Sequence, residues 1–354
     1  MDMQIYIYHA ENERIGWRLK MDKNYGLLKS LIECVSPSGS EESIRSLIEK
    51  EVKDFADEIY TDPLGNLIVH KKGKGKKVML AAHMDEIGMM VTSIDDKGYI
   101  KVCSLGGNNP ISVADHRVVF ANGIEGALRW NAMENHGDLS FENLYIDIGT
   151  ESKEETESKI KIGDICVLKS NYYESDSCII GRSIDDRIGC YLLIEVIKKS
   201  IDTKHDLYYV FTVQEEVGCI GGKTAAFSIK PDIGIAVDVV PTGDVPSING
   251  AYKDLPVKFG GGLSVRVKDG SFIANKALNK AIIEASKKEN IRYQIDVLAR
   301  AGTDASGMQQ SGGGAVSTSL NMPMRYIHTA NGMIYKEDIK EALKLLCVIL
   351  KMNI

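Results

Sequence analysis

The feature that most constrains the fold is an apolar run that ends in a histidine and a carboxylate. Residues 78–82 carry only small or apolar side chains, and His83 and Asp85 follow them. A run without polar alternation predicts a strand buried on both faces, as in a parallel sheet covered by helices. Because side chains alternate along a strand, His83 and Asp85 should point to the same side where the strand leaves the sheet. Ligands bind at that edge in open α/β sheets, so the sequence predicts a site there.

Three other core-type segments end in side chains that can bind metals, and one helical segment begins with such a side chain. These side chains are Asp185, Glu215, Glu216, Asp238 and His328. One carboxylate at the end of a strand would be unremarkable as solvated surface. Several carboxylates gathered in one place, however, need a cation to be tolerated. The pattern therefore predicts a metal site.

The composition argues against several classes of protein. The net charge is −6 and no long block of one sign occurs, which disfavours a nucleic-acid partner. No run approaches the roughly 18 apolar residues of a membrane span, and the N-terminus lacks the layout of a signal peptide. The seven cysteines include no C-x-x-C pair, which favours small core residues in a reducing compartment over disulfides or a thiolate zinc site. We therefore expect a cytoplasmic protein that binds neither nucleic acid nor membrane.

The strand–helix alternation is interrupted in the middle of the chain, which predicts an inserted module. Between residues 88 and 177, short strand-like runs are separated by Gly, Asn and Asp turns, a texture typical of a small β-barrel or β-sandwich. Residues 22–87 and 178–354 should form one α/β domain with a mixed, largely parallel sheet flanked by helices. Residues 1–21 show no clear period and are assigned to an N-terminal extension.

Two local predictions concern turns. The lysines of residues 71–77 are interleaved with glycines, which predicts a solvated hairpin turn between strands at residues 67–70 and 78–82. The charged tract at residues 151–159 predicts an exposed loop of the inserted module.

The ligand types indicate both the cations and the chemistry. The set contains two histidines and three carboxylates: His83, Asp185, Glu216, Asp238 and His328. Imidazole with carboxylate suits zinc, cobalt or manganese, and the absence of cysteine ligands favours a catalytic site over a structural one. Five ligands fit two cations about 3.5–4 Å apart that share one carboxylate. Neighbouring Glu215 and Glu216 point to opposite sides of the chain, so one of them remains as a general base for water.

Five short motifs contain these residues: AHMDEIG at residues 82–88, SIDDR at 183–187, QEEVG at 214–218, AVDV at 236–239 and RYIHT at 325–329. They resemble the metal-site motifs of the tetrahedral (TET) aminopeptidases. That family includes the glutamyl and deblocking aminopeptidases, and some members carry an endoglucanase label. The similarity covers about residues 22–351 and agrees in order, spacing and residue type at all five ligand positions.

The resemblance implies a dinuclear metal-dependent aminopeptidase with a role for each of these residues. His83 and Asp238 would bind one ion, Glu216 and His328 would bind the other, and Asp185 would bridge the two. Glu215 would be the general base, and Asp85 would orient His83. The ions would be Zn²⁺ or Co²⁺, with Mn²⁺ as a further candidate.

The resemblance also implies the substrate and the assembly. The substrates would be short peptides that lose their N-terminal residues. The inserted β module would be a dimerisation domain, and the dimers would assemble into a hollow dodecamer.

Three alternatives stay open. One is an amidohydrolase of the same fold that acts on a small N-acylated amine, and another is an assembly protein of the same fold without catalysis. The second alternative is weakened because Glu215 and all five ligand residues are present. The third, an endoglucanase, would use an acid/base carboxylate pair without metal dependence.

Overall fold

The computed structural model describes residues 25–131, 139–246 and 255–354. The predicted N-terminal extension, residues 1–21, lies outside these ranges. The helices are α1 (Gly26–Glu33), α2 (Glu42–Val52), α3 (Pro110–Val113), α4 (Lys153–Glu157), α5 (Ile184–Lys198), α6 (Ile220–Ile229), α7 (Lys276–Lys288), α8 (Asp304–Gln309) and α9 (Lys336–Ile349). The strands are β1 (Glu58–Thr61), β2 (Leu67–Lys71), β3 (Lys77–His83), β4 (Gly88–Ile94), β5 (Ile100–Leu105), β6 (Arg117–Phe120), β7 (Glu125–Trp130), β8 (Leu144–Asp147), β9 (Ile165–Leu168), β10 (Tyr173–Glu174), β11 (Cys178–Gly181), β12 (Asp206–Thr212), β13 (Ile233–Pro241), β14 (Leu263–Lys268), β15 (Tyr293–Val297), β16 (Val316–Arg325) and β17 (Gly332–Tyr335).

The larger unit is an α/β domain around a mixed sheet. Its strand order is β1-β2-β12-β3-β13-β16-β17-β11-β10, with β14 pairing with both β16 and β15. The central strands β12, β3, β13 and β16 are mutually parallel, and antiparallel pairs lie towards both edges. The predicted mixed, largely parallel sheet is confirmed.

Helices cover both faces of the central strands. On one face Val78, Leu80 and Ala82 pack in a core that includes α1, α2, α5 and α9. On the other face Met79 and Ala81 pack with α6 and α8. The unbroken apolar run of β3 follows from this burial, since neither side of the strand faces water. Among the described residues, no helix is long and apolar enough to cross a membrane.

The lysine-rich segment does not form the predicted hairpin. β12 lies between β2 and β3, antiparallel to the first and parallel to the second. The segment instead crosses the start of β12, where Gly73 N–H donates to Asp206 Oδ1 at 3.1 Å. A Cβ atom on Gly73 would lie 2.0 Å from the carbonyl oxygen of His205, so this crossing requires glycine. The hairpin prediction was wrong because the strand that separates β2 from β3 comes from far along the chain.

The inserted strands form a closed barrel. Its order is β4-β5-β8-β7-β6-β9, and its own core contains side chains such as Met89, Ile100, Leu128 and Ile146. The barrel strands end at Leu168, and the next strand, β10, already pairs in the large sheet. The boundaries at 87/88 and 177/178 remain predictions.

The charged tract at residues 151–159 contains a short helix, so the loop prediction for this tract was wrong. The Ser152 side chain accepts a hydrogen bond from Glu155 N–H and begins α4. Thr156 is fully buried, and its hydroxyl donates to the carbonyl oxygen of Gly98 at 2.9 Å. One buried threonine among charges gives too little periodicity to predict this helix.

Candidate metal centre

The predicted ligand residues come together at the C-terminal edge of the central strands. β3 ends at His83, the chain beyond β12 carries Glu215 and Glu216, and β13 contributes Asp238. Two further residues join them: Asp185 at the start of α5 and His328 just beyond β16. Residues separated by up to 245 positions along the sequence therefore share one site because parallel strands end at the same edge.

The ligand-type atoms form two groups that share Asp185. One group is His83, Asp185 and Asp238, and the other is Asp185, Glu216 and His328; within each, the candidate atoms lie within 4.8 Å of one another. Asp185 Oδ1 is 3.0 Å from His83 Nε2, and its Oδ2 is 3.3 Å from His328 Nε2. The two oxygens of one carboxylate thus face two different histidines.

Both histidines present Nε2 to the cluster. His83 Nδ1 lies 3.2 Å from the carbonyl oxygen of Asp85 and 3.4 Å from Asp85 Oδ1. His328 Nδ1 lies 3.0 Å from the carbonyl oxygen of Gly107. A carbonyl oxygen only accepts, so each Nδ1 carries a proton and donates it, which leaves Nε2 as the atom available to a cation.

The inserted module contributes to this arrangement through Gly107, which follows β5. A Cβ atom at residue 107 would lie 2.7 Å from His328 Nδ1, so the close approach of the two segments requires glycine. Sequence reasoning missed this contact because nothing in the glycine pair at residues 106–107 indicates its partner.

The two neighbouring glutamates occupy different positions in the site. Glu216 Oε2 is 3.3 Å from His328 Nε2, and Glu215 Oε2 is 4.0 Å from His83 Nε2. The other oxygen of Glu215, Oε1, accepts a hydrogen bond from the Cys219 thiol at 3.0 Å. Glu216 therefore lies in a ligand group, whereas Glu215 lies beside the cluster.

Burial and neighbouring charges shift the pKa values of the two histidines and of Asp185 in opposite directions. Burial alone would lower the pKa of His83, but hydrogen bonds to Asp185 and Asp85 outweigh it and raise that pKa well above its ordinary value. Burial would also lower the pKa of His328, but Glu216 and Asp185 raise it well above its ordinary value. Burial would raise the pKa of Asp185, but its bonds to both histidines hold it well below its ordinary value. The carboxylate form of Asp185 is thus stabilised by the two histidines on either side of it.

The other carboxyl groups retain protons more strongly than usual. Burial, aided by the charge of Asp238, raises the pKa of Glu215 well above its ordinary value. Burial likewise raises the pKa of Glu216 and takes that of Asp238 to about 7. Carboxyl groups that hold protons in a buried cluster are groups whose negative charge lacks a counter-ion.

The donor set fits divalent cations. Glu216 Oε1 is buried and has no hydrogen-bond partner among the described residues. A buried carboxylate oxygen without a donor is costly, and a cation would satisfy it. Mixed imidazole and carboxylate donors in two groups with a shared member are the arrangement that a two-metal site needs.

A cavity of about 800 Å³ opens from the cluster. Its wall includes the ligand-type residues and Glu215, together with apolar side chains such as Val239, Leu298 and Met324. It also includes Arg266 and Arg325, each of which is paired with an aspartate, Asp296 and Asp244 respectively. The cavity is large enough for a small peptide.

Three further acidic residues near the site are held by protein partners. Asp186 accepts hydrogen bonds from the N–H groups of His83 and Gly189, so it caps the helical part of α5. Asp304 is buried and accepts from the Thr212 hydroxyl at 2.5 Å. Glu86 is buried and pairs with Arg182 at 2.9 Å.

Sequence reasoning missed the polar residues behind the site. Ser38 donates to Asp85 at 2.6 Å, and Asn66 and Glu41 bind the backbone that precedes Glu215. Ser38 and Glu41 lie in a segment whose sequence indicates only a helix stop followed by a new helix. Their partners are more than 40 residues away, so no local signal marks them.

Comparison with known proteins gives the same class of protein. A family profile described as M42 glutamyl aminopeptidase matches residues 65–345. A protein of Acetivibrio thermocellus is 43% identical over 323 residues, which cover 91% of this chain and 97% of the relative. The lysyl aminopeptidase of Pyrococcus furiosus is 35% identical over 336 residues, which cover 91% of this chain and 95% of the relative. The solved TET1 peptidase of Pyrococcus horikoshii superposes with a TM-score of 0.81 at 30% identity, covering 92% of this chain and 98% of that one.

The fold and these relatives define the chain as a peptide hydrolase of the aminopeptidase class. It belongs to the M42 glutamyl aminopeptidase family. The resemblance inferred from the five motifs is thereby confirmed. The family's name does not fix the residue that this chain prefers, since its relatives include a lysyl aminopeptidase.

Proposed function

We propose that this protein is a dinuclear metal-dependent aminopeptidase that removes N-terminal residues from short peptides. One observation carries the proposal: two ligand groups share Asp185 beside buried Glu215, at the wall of a peptide-sized cavity. A single-metal site would not need five ligand residues, and a structural site would not open into a cavity.

The ligand groups support one assignment of the residues. His83 and Asp238 would hold one ion, Glu216 and His328 the other, and Asp185 would bridge them. The donor types favour Zn²⁺ or Co²⁺, with Mn²⁺ as a third candidate. Asp85 would fix His83 by accepting a hydrogen bond from Nδ1, which keeps Nε2 directed at the ion.

Glu215 is proposed as the general base. When bound, the two ions would lower the pKa of a water molecule in the site and polarise the substrate carbonyl. Glu215 takes a proton from that water as the water attacks the carbonyl, and then passes the proton to the departing amine. The raised pKa of its buried carboxyl suits a group that must both take and give a proton near neutral pH. The free amino group of the substrate is expected at the cluster, which would restrict cleavage to N-terminal residues.

We also propose self-association. The solved TET1 peptidase of Pyrococcus horikoshii is described as assembling into a tetrahedron or a large octahedral shell. We expect the inserted barrel, residues 88–177, to form a dimer and the dimers to form a dodecamer. The cytoplasmic location stays a prediction from the cysteines, all seven of which are free.

A substrate comparison tests the proposed activity against the amidohydrolase alternative. Aminoacyl-anilides carry a free amino group, whereas N-acyl amino acids do not. With divalent metal present, we expect hydrolysis of aminoacyl-anilides and short peptides and no turnover of N-acyl amino acids. The reverse preference would favour the amidohydrolase, and hydrolysis of neither substrate would favour a protein without catalysis.

A further inference from the structure

The loop that carries Glu215 is held by side chains from the first part of the chain. Four consecutive backbone N–H groups each donate to a side-chain oxygen. The bonds are Val213 to Asn66 Oδ1 (3.0 Å), Gln214 to Glu41 Oε1 (3.2 Å), Glu215 to Asp85 Oδ1 (3.1 Å) and Glu216 to Asp85 Oδ2 (3.2 Å). β12 ends at Thr212, so these four N–H groups lie beyond the strand and depend on side chains for their partners.

The backbone of this loop adopts conformations that most residues avoid. Gln214 has φ 55° and Cys219 has φ 54°, both in the left-handed region, and neither is glycine. Such residues persist only where the surrounding structure holds them. The side-chain acceptors therefore select the path of the loop and, with it, the position of Glu215.

The acceptors are themselves fixed. Asp85 accepts from the Ser38 hydroxyl at 2.6 Å, and Asn66 Nδ2 donates to Asp62 Oδ2 at 2.7 Å. Glu41 is only 4% exposed, and its Oε1 also accepts from the N–H of Gly39 at 2.7 Å. Each acceptor reaches the loop from a buried position with little freedom to move.

We propose that Glu41 is a positioning residue for the general base, an inference that rests on the proposed function. Glu41 does not line the cavity and belongs to neither ligand group. Its Oε1 joins the Gly39 turn to Gln214, the residue next to Glu215. Asp85 also contacts His83, and Asn66 also bonds three other residues. The further bond of the Glu41 side chain is to the N–H of Gly39, two residues away, so the effect of Glu41 on the loop is the easiest of the three to isolate. It sets the left-handed conformation of Gln214 and thereby the direction in which Glu215 leaves the loop.

Three substitutions of Glu41 separate the position of its oxygen from its charge. Glu41→Gln keeps the reach and an acceptor oxygen but removes the charge. Glu41→Asp keeps the charge but withdraws the oxygen by one methylene, and Glu41→Ala removes the acceptor. A small misplacement of a catalytic group costs up to roughly 100-fold in rate. We expect kcat to fall roughly 10- to 100-fold in the Asp and Ala variants and to stay within about threefold of wild type in Glu41→Gln.

The readouts are kcat, KM and metal content at saturating metal. The positioning role predicts a loss in kcat with KM and metal content equal to those of wild type. Asp338→Ala is the matched control, because Asp338 is a buried carboxylate that accepts two backbone N–H groups, from Gly260 and Gly262, both at 2.8 Å. It is expected to lower stability and leave kcat unchanged.

Several results would overturn the inference. Normal kcat in Glu41→Asp together with a loss in Glu41→Gln would show that charge, rather than the placed oxygen, matters. A loss that appears only as lower metal content or higher KM would also refute it. If Glu41→Ala does not fold, the Asp and Gln pair decides the question. Wild-type protein that is inactive with metal would refute the proposed function itself, whereas an active wild type with an unaffected Glu41→Asp variant would refute only this inference.

Discussion

Asp185 has the most demanding position of any single residue in the site. It is buried, and its two oxygens face His83 and His328 at 3.0 and 3.3 Å. Without metal the two histidines stabilise its negative charge, and bound cations would take over this role. A residue with this geometry supports a bridging role better than any other carboxylate in the cluster.

Glu215 is the residue whose substitution should affect chemistry without affecting metal binding. Glu215→Gln preserves the shape and the bond from Cys219 but removes the base. General base catalysis contributes roughly 10²–10⁴-fold, so kcat should fall by about that factor while metal content stays at the wild-type value. Asp238→Asn is the contrasting variant, because it should weaken metal binding and regain part of its activity in excess metal. Near-normal turnover by fully loaded Glu215→Gln would assign the base elsewhere.

The metal-free site should make stability depend on pH. Among the five ligand-type residues and Glu215, all but Asp185 have folded pKa values above their ordinary values: His83, Glu215, Glu216, Asp238 and His328. The folded state then binds more protons than the unfolded state, so stability falls as pH rises. For Asp238 this loss spans the interval from 3.8 to about 7, and for the histidines it begins at about their ordinary value of 6.5. The folded pKa values of Asp85 and Asp185 lie below their ordinary value of 3.8, so the stability that these two groups contribute is lost only at pH values below 3.8.

Cation binding displaces those protons and should therefore reverse this dependence. We expect the difference in Tm between metal-loaded and metal-free protein to grow as pH rises from about 5 to 8. Thermal unfolding of both forms across this range measures the difference, and groups distant from the site cancel in it. A difference that is constant or shrinks with rising pH would contradict these pKa directions.

Among the secondary-structure elements, apolar runs in the sequence predicted the buried strands. The sequence did not predict which strands that lie far apart in the chain pair with each other. The runs that became β3, β12 and β13 are unmistakable because burial on both faces excludes polar residues. The place of β12 between β2 and β3 has no such signal, since strand order depends on pairings between segments far apart in sequence. β14 alternates apolar and polar residues, a pattern that predicts a strand with one solvated face, yet Ser264 and Arg266 are buried.

The same division holds for the site. That the candidate ligand residues would lie together was predictable, because each ends or begins a recognisable element and is of a type that binds metal. The supporting acceptors Glu41 and Asn66 were not predictable, because any polar residue could occupy such positions in a turn. Their role depends on a three-dimensional neighbour, the backbone of residues 213–216.

The crossing of the lysine-rich segment over β12 gives a prediction about stability. Gly73→Ala would place a Cβ atom 2.0 Å from a backbone carbonyl oxygen, which cannot move as a flexible side chain would. We expect a loss of roughly 1–3 kcal/mol in the free energy of unfolding, with kcat of the folded protein unchanged. Gly313→Ala is the control, since no described atom lies within 4 Å of a Cβ built there. Equal stability of the two variants in denaturant titrations would contradict the packing seen at Gly73.

At the scale of the whole molecule, the barrel belongs to the site as well as to the proposed assembly. It is inserted between β3, which carries His83, and α5, which carries Asp185. The carbonyl oxygen of Gly107, just beyond its strand β5, accepts a hydrogen bond from His328 Nδ1. Any interface that fixes the position of the barrel would therefore also fix the position of His328, a proposed ligand of the second ion.

The assembly prediction follows from this arrangement and from the relatives. With metal present, light scattering should give a mass twelve times that of the 39.0 kDa chain, and dissociation should proceed through dimers. Substitutions on the exposed face of the barrel should yield smaller species. A mass equal to that of one chain at assay concentration would contradict the proposed dodecamer.

Metal reconstitution tests directly whether hydrolysis depends on two bound ions per chain. The protein is stripped with a chelator, titrated with Zn²⁺, Co²⁺ or Mn²⁺, and assayed on aminoacyl-anilides while bound metal is counted by elemental analysis. We expect no hydrolysis without metal and full activity only when two ions are bound per chain. Activity that survives complete removal of metal, as an endoglucanase-type carboxylate pair would allow, would contradict it, and so would full activity with one ion per chain.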